Sequence, residues 1–199
     1  MSLPIFIEIG LQMLVPNMDQ FMLSHYSQDA VAAVGNDNMI INMIILTLSV
    51  LSQAATILIA HYRGAGNLSQ ASRVCSVSLA LNLTLGTLIS LILFLFPRFF
   101  LQLLGVPLEI YPDATLYLRW IGLFIIIQSA YTAFISFLRG FSLLRETMLC
   151  SAVMNILNIC GNMVLIHGLG PIPSLGVLGV CISTNTAKTL GLVLVLYLC

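Results

Sequence analysis

The sequence predicts an all-α polytopic membrane protein, a bundle of six transmembrane helices, from its composition, its hydropathy and the length of its apolar segments. Of the 199 residues, 59% are hydrophobic and 7% are charged, and the mean hydropathy is +1.06. A soluble domain usually has about 25% charged residues, so this chain has too few of them to cover a surface in water. The composition excludes a soluble globular enzyme and a disordered chain.

The charges also exclude a nucleic-acid partner. Seven basic residues, one of them a lysine, balance seven acidic residues, which leaves no basic patch for phosphate. The cysteines and histidines show no spacing typical of a metal site, so no cofactor is expected.

Six apolar segments each come near the roughly 20 residues that a helix needs to cross the hydrocarbon core. The second is too long to be straight and has a polar outer start at Asn36, Asp37 and Asn38. Residues 97–114 form an apolar segment bounded by prolines, which we expect to lie along the membrane interface. The expected spans are Leu3–Ser24, Ala30–Ala60, Val74–Phe96, Thr115–Leu138, Thr147–His167 and Gly176–Cys199.

The positive-inside rule predicts the orientation. The connections after the second and fourth spans hold Arg63, Arg73, Arg139 and Arg145, whereas those after the first, third and fifth hold only Arg98. The connections after the even-numbered spans should therefore face the cytoplasm, with the N-terminus inside.

The first span carries a stripe of polar side chains. Glu8, Gln12 and Asp19 lie within about 40° of one another on a helix. Pro16 removes a backbone donor and is expected to kink the helix before Asp19. A carboxyl group inside a membrane usually faces a cavity or a partner. The alternative is that the stripe only joins helices through hydrogen bonds.

Polar residues on the fifth and sixth spans reach a similar depth. Asn155, Asn158 and Asn162 share one face of the fifth span, where they either line a cavity or pack between helices. With a rise of about 1.5 Å per residue, Asp19, Asn158, Asn162 and Thr184 can meet in the outer half of the bundle. Their oxygens suit a hard cation such as Na⁺, or a proton on Asp19.

Lys188 lies within the sixth span, where it must either reach the interface or pair with a carboxylate. Counting the same rise per residue places both Glu8 and Lys188 towards the inner half of the bundle. We expect these two residues to form a buried ion pair.

Six motifs run in order through nearly the whole chain. They are NMDQFMLSHYSQDAVAAVG (17–35), GAGN (64–67), LLGVPLEIYPDATLYLR (103–119), FLRG (137–140), NILNICGNMVLIHG (155–168) and LGVLGVCISTNTAK (175–188). As an ordered set they resemble the MATE (multidrug and toxic compound extrusion) transporters, within the larger group that also holds polysaccharide and lipid flippases.

The resemblance implies two six-helix lobes that face each other across a cleft that opens alternately to each side. Residues 1–199 match the N-terminal lobe, and the C-terminal lobe is absent from this chain. The resemblance also implies export of amphipathic, often cationic compounds in exchange for Na⁺ or H⁺. Asp19, Asn158, Asn162 and Thr184 match the cation site of some members, although the family's second carboxylate is an asparagine here, Asn162.

We therefore expect a cation-coupled antiporter in the cytoplasmic membrane, and not an enzyme. Na⁺ or H⁺ neutralises Asp19, reorganises the kink at Pro16 and releases the substrate. Gln12 and Asn155 are expected to line the substrate cavity. The second lobe belongs either to the same full-length chain or to a second copy in a homodimer.

Three alternatives remain open. A lipid or polysaccharide flippase of the same fold predicts basic residues along the cleft, for which only Arg119 and Lys188 qualify. An intramembrane enzyme requires cooperating groups, and Glu8 and Asp19 are about 16 Å apart along one helix. A structural membrane subunit would bind no ion.

Overall fold

The computed structural model describes residue 10 and residues 17–168 and 173–198. Every regular element in those residues is helical, which confirms the predicted all-α class. Helix α1 comprises residues 17–24, and a short 3-10 turn at Leu108–Ile110 precedes α5. The other helices are α2 (Gln28–Gly64), α3 (Leu68–Leu95), α4 (Pro97–Leu103), α5 (Tyr111–Leu123), α6 (Ile125–Gly140), α7 (Leu144–His167) and α8 (Val177–Leu198).

Four of the described helices, α2, α3, α7 and α8, are long and apolar enough to cross a membrane. The 3-10 turn with α5, taken together with α6, provides a fifth candidate span, which is bent by 45°. Most of the predicted first span lies outside the described residues. The described part of the chain is therefore that of a polytopic helical membrane protein.

The fourth span differs from the continuous helix that the sequence predicted. It breaks at Phe124, whose backbone N–H bonds to the carbonyl of Ile121 and not to that of Trp120. Asn185 Nδ2 on α8 donates to the carbonyl of Trp120 at 3.1 Å. Ser90 Oγ on α3 donates to the carbonyl of Leu123 at 2.8 Å. Side chains of two neighbouring helices therefore satisfy backbone oxygens at the break, which inside a membrane have no water to bind.

The second and third spans begin earlier than their hydropathy predicted, because side chains cap them. Ser27 accepts a hydrogen bond from the backbone N–H of Ala30 at the start of α2. Asn67 accepts one from Gln70 at the start of α3, at 3.1 Å. Each cap satisfies a donor that the first helical turn leaves free.

The largest apolar cluster of the described residues lies at the end of the bundle where α1 meets α2. It includes Leu23 of α1, Val34 of α2, Leu118 of α5 and Val180 of α8, all of them fully buried. Packing of Met22 and Leu23 in this cluster holds α1 against the other helices.

Candidate functional site

A cavity of about 450 Å³ lies between α2, α5, α6, α7 and α8, and α1 contributes Asp19 to it. It follows α2 from Asn38 to Thr56, a distance of about 27 Å along that helix. Most residues of its described lining have polar side chains, although apolar atoms provide the larger part of the lining surface. The charged members are Asp19, Arg139 and Lys188, and the amide members are Asn38, Asn42, Gln53, Gln128, Asn155 and Asn158.

Asp19 and Asn162 are brought together, as the sequence analysis expected. Asn162 Nδ2 donates a hydrogen bond to Asp19 Oδ1 across 143 positions of the sequence. Asn162 is fully buried behind the cavity wall, whereas Asp19 is half-buried and lines the cavity. The bond leaves the carboxylate accessible from the cavity while one of its oxygens is held by α7.

Asn158 and Thr184 form the second pair of the predicted group. Asn158 Nδ2 donates to Thr184 Oγ1 at 3.0 Å, and both residues line the cavity. The neighbouring Ser183 Oγ donates to the backbone carbonyl of Asn158 at 2.8 Å. Two hydrogen bonds thus fix the rotation of α8 relative to α7 at this depth.

Two amide oxygens of this group have no donor among the residues that the structure describes. Asn158 Oδ1 and Asn162 Oδ1 are buried and lack a hydrogen-bond partner within the described part of the chain. Buried acceptors are nearly always satisfied in folded proteins. Together with the carboxylate of Asp19 they are oxygen ligands of the kind that a hard cation takes.

Lys188 is half-buried, lines the same cavity, and lies close enough to Asp19 for their charges to interact. The predicted partner, Glu8, lies outside the described residues, as do Gln12 and Pro16. The structure therefore tests neither the predicted ion pair of Glu8 with Lys188 nor the predicted kink at Pro16. Asn155 lines the cavity, as expected.

The basic residues of the cavity differ from those that the sequence suggested. Arg139, at the end of α6, lines it together with Lys188. Arg119 is exposed and does not belong to the described lining.

Asp37 is a residue that the sequence analysis treated only as part of a polar helix start. Its side chain is fully buried, and neither carboxylate oxygen has a hydrogen-bond partner among residues 17–168 and 173–198. Tyr117 and Cys181 lie within electrostatic range of it. The sequence feature that could have singled out Asp37 is its position ten residues after the N-cap, which is about 15 Å along the helix.

Tyr117 is a second residue that the sequence analysis did not single out. Its hydroxyl donates to Asn38 Oδ1 at 3.0 Å, and both residues line the cavity. This bond joins α5 to α2. Asp19 also lies within electrostatic range of Tyr117.

Comparison with known proteins gives consistent matches over most of the chain. The MatE family profile matches residues 4–164. The chain is 38% identical over 190 residues to the "Uncharacterized transporter YisQ" of Bacillus subtilis (strain 168), covering 96% of this chain and 42% of that protein. It is 29% identical over 191 residues to the "Probable multidrug resistance protein NorM" of Thermotoga maritima, covering 96% and 41%. The chain spans about two fifths of the length of these curated relatives.

Solved structures show the same likeness. An outward-facing multidrug resistance MATE family transporter of the MOP superfamily superposes with a TM-score of 0.89 at 25% identity, covering 98% of this chain and 43% of the other. A crystal structure of MATE in complex with MaD3S gives a TM-score of 0.91 at 25% identity, again with 98% and 43% coverage.

Proposed function

Because the chain belongs to the MatE family of transporters, we propose that it is the N-terminal lobe of a cation-coupled antiporter. This antiporter exports amphipathic, often cationic compounds by alternating access. The observation that carries the proposal is the surroundings of Asp19, which lines a polar cavity and accepts a hydrogen bond from Asn162. The lobe lies in the cytoplasmic membrane with its N-terminus inside, and it works opposite a second six-helix lobe of the same protein or of a second copy.

The coupling ion acts at Asp19. When Asp19 is ionised, it attracts either the positive group of a substrate or the coupling cation, so the two compete for one negative charge. Na⁺ is held by Asp19 with Asn158, Asn162 and Thr184, whose oxygens fit a hard cation. Since Asn162 is uncharged, the group has a single formal negative charge, and protonation of Asp19 serves equally as the neutralising event.

Neutralisation of Asp19 changes the state of the lobe because the cation and the substrate favour different arrangements of the same helices. The ion removes the charge that holds the substrate, α1 rearranges at Pro16, and the substrate leaves on the outer side. Na⁺ or H⁺ then returns inward with the next change of access.

Replacement of Asp19 by asparagine tests the proposal. In cells that express the chain with its second lobe, we expect Asp19→Asn to abolish export driven by a Na⁺ or proton gradient while membrane expression is retained. Each gradient is imposed separately on inverted vesicles, which identifies the coupling ion. Asp29→Asn, which changes an exposed acid at the start of α2, is the control and should export normally. Full drug resistance in the Asp19→Asn strain would end the proposal.

A further inference from the structure

A second cavity opens on the outer surface of the bundle, between α2 and α3. It has a volume of about 270 Å³ and shares no described lining residue with the cavity that contains Asp19. Its walls are α2 from Leu51 to Leu58 and α3 from Gln70 to Leu81, and we call it the α2–α3 groove. Leu58 and Val77 are about half exposed along it, so the groove faces the surrounding lipid.

Small side chains and a buried hydrogen-bond network form the floor of the groove. Ala54 and Ala55 on α2 and Ser78 on α3 line it, and their small volume leaves the space between the two helices. Beneath them, Ser52 Oγ of α2 donates to Asn82 Oδ1 of α3 at 3.3 Å. Asn82 Nδ2 in turn donates to the carbonyl of Ser78 at 3.0 Å. These bonds fix the spacing of α2 and α3, so the groove is a preformed feature of the lobe.

The lining of the groove is polar at one end and apolar towards the middle of the bundle. Gln70 and Arg73 lie in the first two turns of α3. That helix has 28 residues and is therefore about 42 Å long, which exceeds the roughly 30 Å of a hydrocarbon core, so its first turns lie at the depth of the headgroups. The deeper lining on α3, Val74–Leu81, is apolar apart from Ser78. A membrane lipid has the same sequence of polarity along its length.

The polar end of the groove is positively charged. Arg73 is exposed and is the one charged side chain in the described lining. Arg63 and Arg145 lie at the same end of the bundle, with Glu146 as an acidic neighbour. Arg63 donates to the uncharged oxygens of Phe141 and Ser142, which leave its positive charge in place. An anionic headgroup is therefore attracted to this end, and a cationic compound is repelled from it.

We propose that the α2–α3 groove binds an anionic phospholipid of the bilayer. The phosphate accepts hydrogen bonds from Arg73 and Gln70, and an acyl chain lies along the apolar lining towards Leu81, about 12 Å further along α3. Arginine suits this role because its planar guanidinium donates two parallel hydrogen bonds to phosphate oxygens. This lipid site is separate from the site at Asp19, so it depends on neither the coupling ion nor the exported compound.

Retention of lipid by the purified chain tests the proposal. The chain is placed in nanodiscs with equal amounts of phosphatidylglycerol, which is anionic, and phosphatidylcholine, which is neutral overall, both with the same acyl chains. After extraction into detergent, native mass spectrometry counts the molecules of each lipid that stay bound. We expect about fivefold more of the anionic lipid, as for one arginine at a membrane surface. The preference should fall as the salt concentration is raised.

Two variants, each with a matched control, assign the preference to the groove. Arg73→Gln should bring the retention of the two lipids to within about twofold of each other, whereas Arg98→Gln, at an exposed position on α4 outside the described lining, should leave the preference intact. Ala54→Phe fills the groove and keeps Arg73, and it should lower the retained anionic lipid about fivefold. Ala80→Phe, on an exposed alanine of α3 outside that lining, should change nothing. Circular dichroism verifies that each variant is folded.

Three outcomes would overturn the proposal. Equal retention of the two lipids by the unmodified chain, or a preference that persists in Arg73→Gln, would show that no anionic headgroup is bound at Arg73. A preference lost in Arg73→Gln but kept in Ala54→Phe would show that the acyl chain lies outside the groove. A dimer in the same spectra that Ala54→Phe converts to a monomer would show that a second copy, and not a lipid, covers the groove.

Discussion

Asp19 and Asp37 are carboxyl groups of one lobe in contrasting surroundings. Asp19 lines the cavity and accepts a hydrogen bond from Asn162. Asp37 is fully buried on α2, and its two oxygens find no donor in the described part of the chain. An unpaired buried polar group costs about 1–3 kcal/mol. Asp19 therefore has a partner on α7, whereas an Asp37 without a partner in the described residues is expected to lower the free energy of unfolding.

Replacement of Asp37 by leucine should consequently stabilise the purified chain. The change removes two unpaired oxygens and keeps a side chain of similar length, so we expect a gain of about 1–3 kcal/mol in the free energy of unfolding. Thermal denaturation in detergent measures it. Asp29→Leu is the matched control, and it should lose about 0.3–1 kcal/mol because Asp29 is exposed in the first turn of α2, where a negative charge is favourable. A loss of stability in Asp37→Leu would contradict the prediction and show that Asp37 has a favourable partner.

Asn162 stands where the resemblance implies a second carboxylate. Under the proposed function, Asn162→Asp adds a second negative ligand beside Asp19 and should raise the affinity for Na⁺ by about tenfold, since the affinity of such sites rises with ligand charge. Calorimetric titration of the purified chain with Na⁺ measures the change. Asn36→Asp, on a residue whose amide bonds the carbonyl of Ala32 in its own helix, should leave the affinity unchanged. Equal affinities for Asn162→Asp and the unmodified chain would remove Asn162 from the cation site.

At the scale of elements, α7 and α8 form a tightly packed pair because small residues let their backbones approach. A methyl group on Gly179 of α8 would lie 2.6 Å from the carbonyl oxygen of Leu165. One on Gly161 of α7 would lie 2.4 Å from Ser183 Oγ. The hydrophobic effect contributes little to the association of helices within a membrane. Van der Waals contact between closely packed backbones therefore stabilises the pair. The same contact sets the register that joins Asn158 to Thr184.

Gly179→Ala should therefore separate α7 from α8. The added methyl group meets backbone, which cannot rotate away, so we expect a loss of about 1–3 kcal/mol in the free energy of unfolding. Thermal denaturation measures the loss, and cation binding should weaken with it. Gly64→Ala, where an added methyl group meets nothing within 4 Å, serves as the control and should be neutral. Similar melting temperatures for the two variants would contradict the close packing.

At the scale of the whole molecule, two connections lie together at one end of the bundle. The guanidinium of Arg63, at the end of α2, donates to the carbonyl of Phe141 and, at 3.0 Å, to Ser142 Oγ in the connection between α6 and α7. The sequence predicted that both connections face the cytoplasm. Their contact requires only that the two connections lie on the same side of the membrane. Which side faces the cytoplasm therefore stays a prediction.

Cysteine accessibility determines that direction. In a chain whose natural cysteines are replaced by alanine, Leu108→Cys should react with a membrane-impermeant maleimide added outside intact cells. Ala65→Cys, between α2 and α3, should react only after the membrane is permeabilised. Ala65 precedes α3 and Leu108 follows both α3 and α4, so the two positions, expected on opposite sides of the membrane, act as controls for each other. Labelling of Ala65→Cys in intact cells would reverse the orientation.

Much of the lobe could be predicted from residues taken one segment at a time. The hydropathy of single segments predicted apolar helices where α2, α3, α7 and α8 lie, and helical spacing grouped Asn155, Asn158 and Asn162 on one face. The break at Phe124 could not be predicted, because no proline lies there and the groups that satisfy it, Ser90 and Asn185, come from other helices. Asp37 was missed for a related reason, since a polar residue near a helix start is commonly solvated.

The sequence by itself determined that this is a membrane protein, that its fold is helical, and which polar side chains enter the membrane. These properties follow from composition and from the spacing of residues along one helix. The tertiary structure decided which polar groups meet: Asn162 bonds to Asp19, Asn158 bonds to Thr184, and Lys188 lines the same cavity as Asp19. Such meetings depend on the rotation and tilt of each helix against its neighbours. Close contacts at small residues such as Gly179 set these quantities, and no single segment contains them.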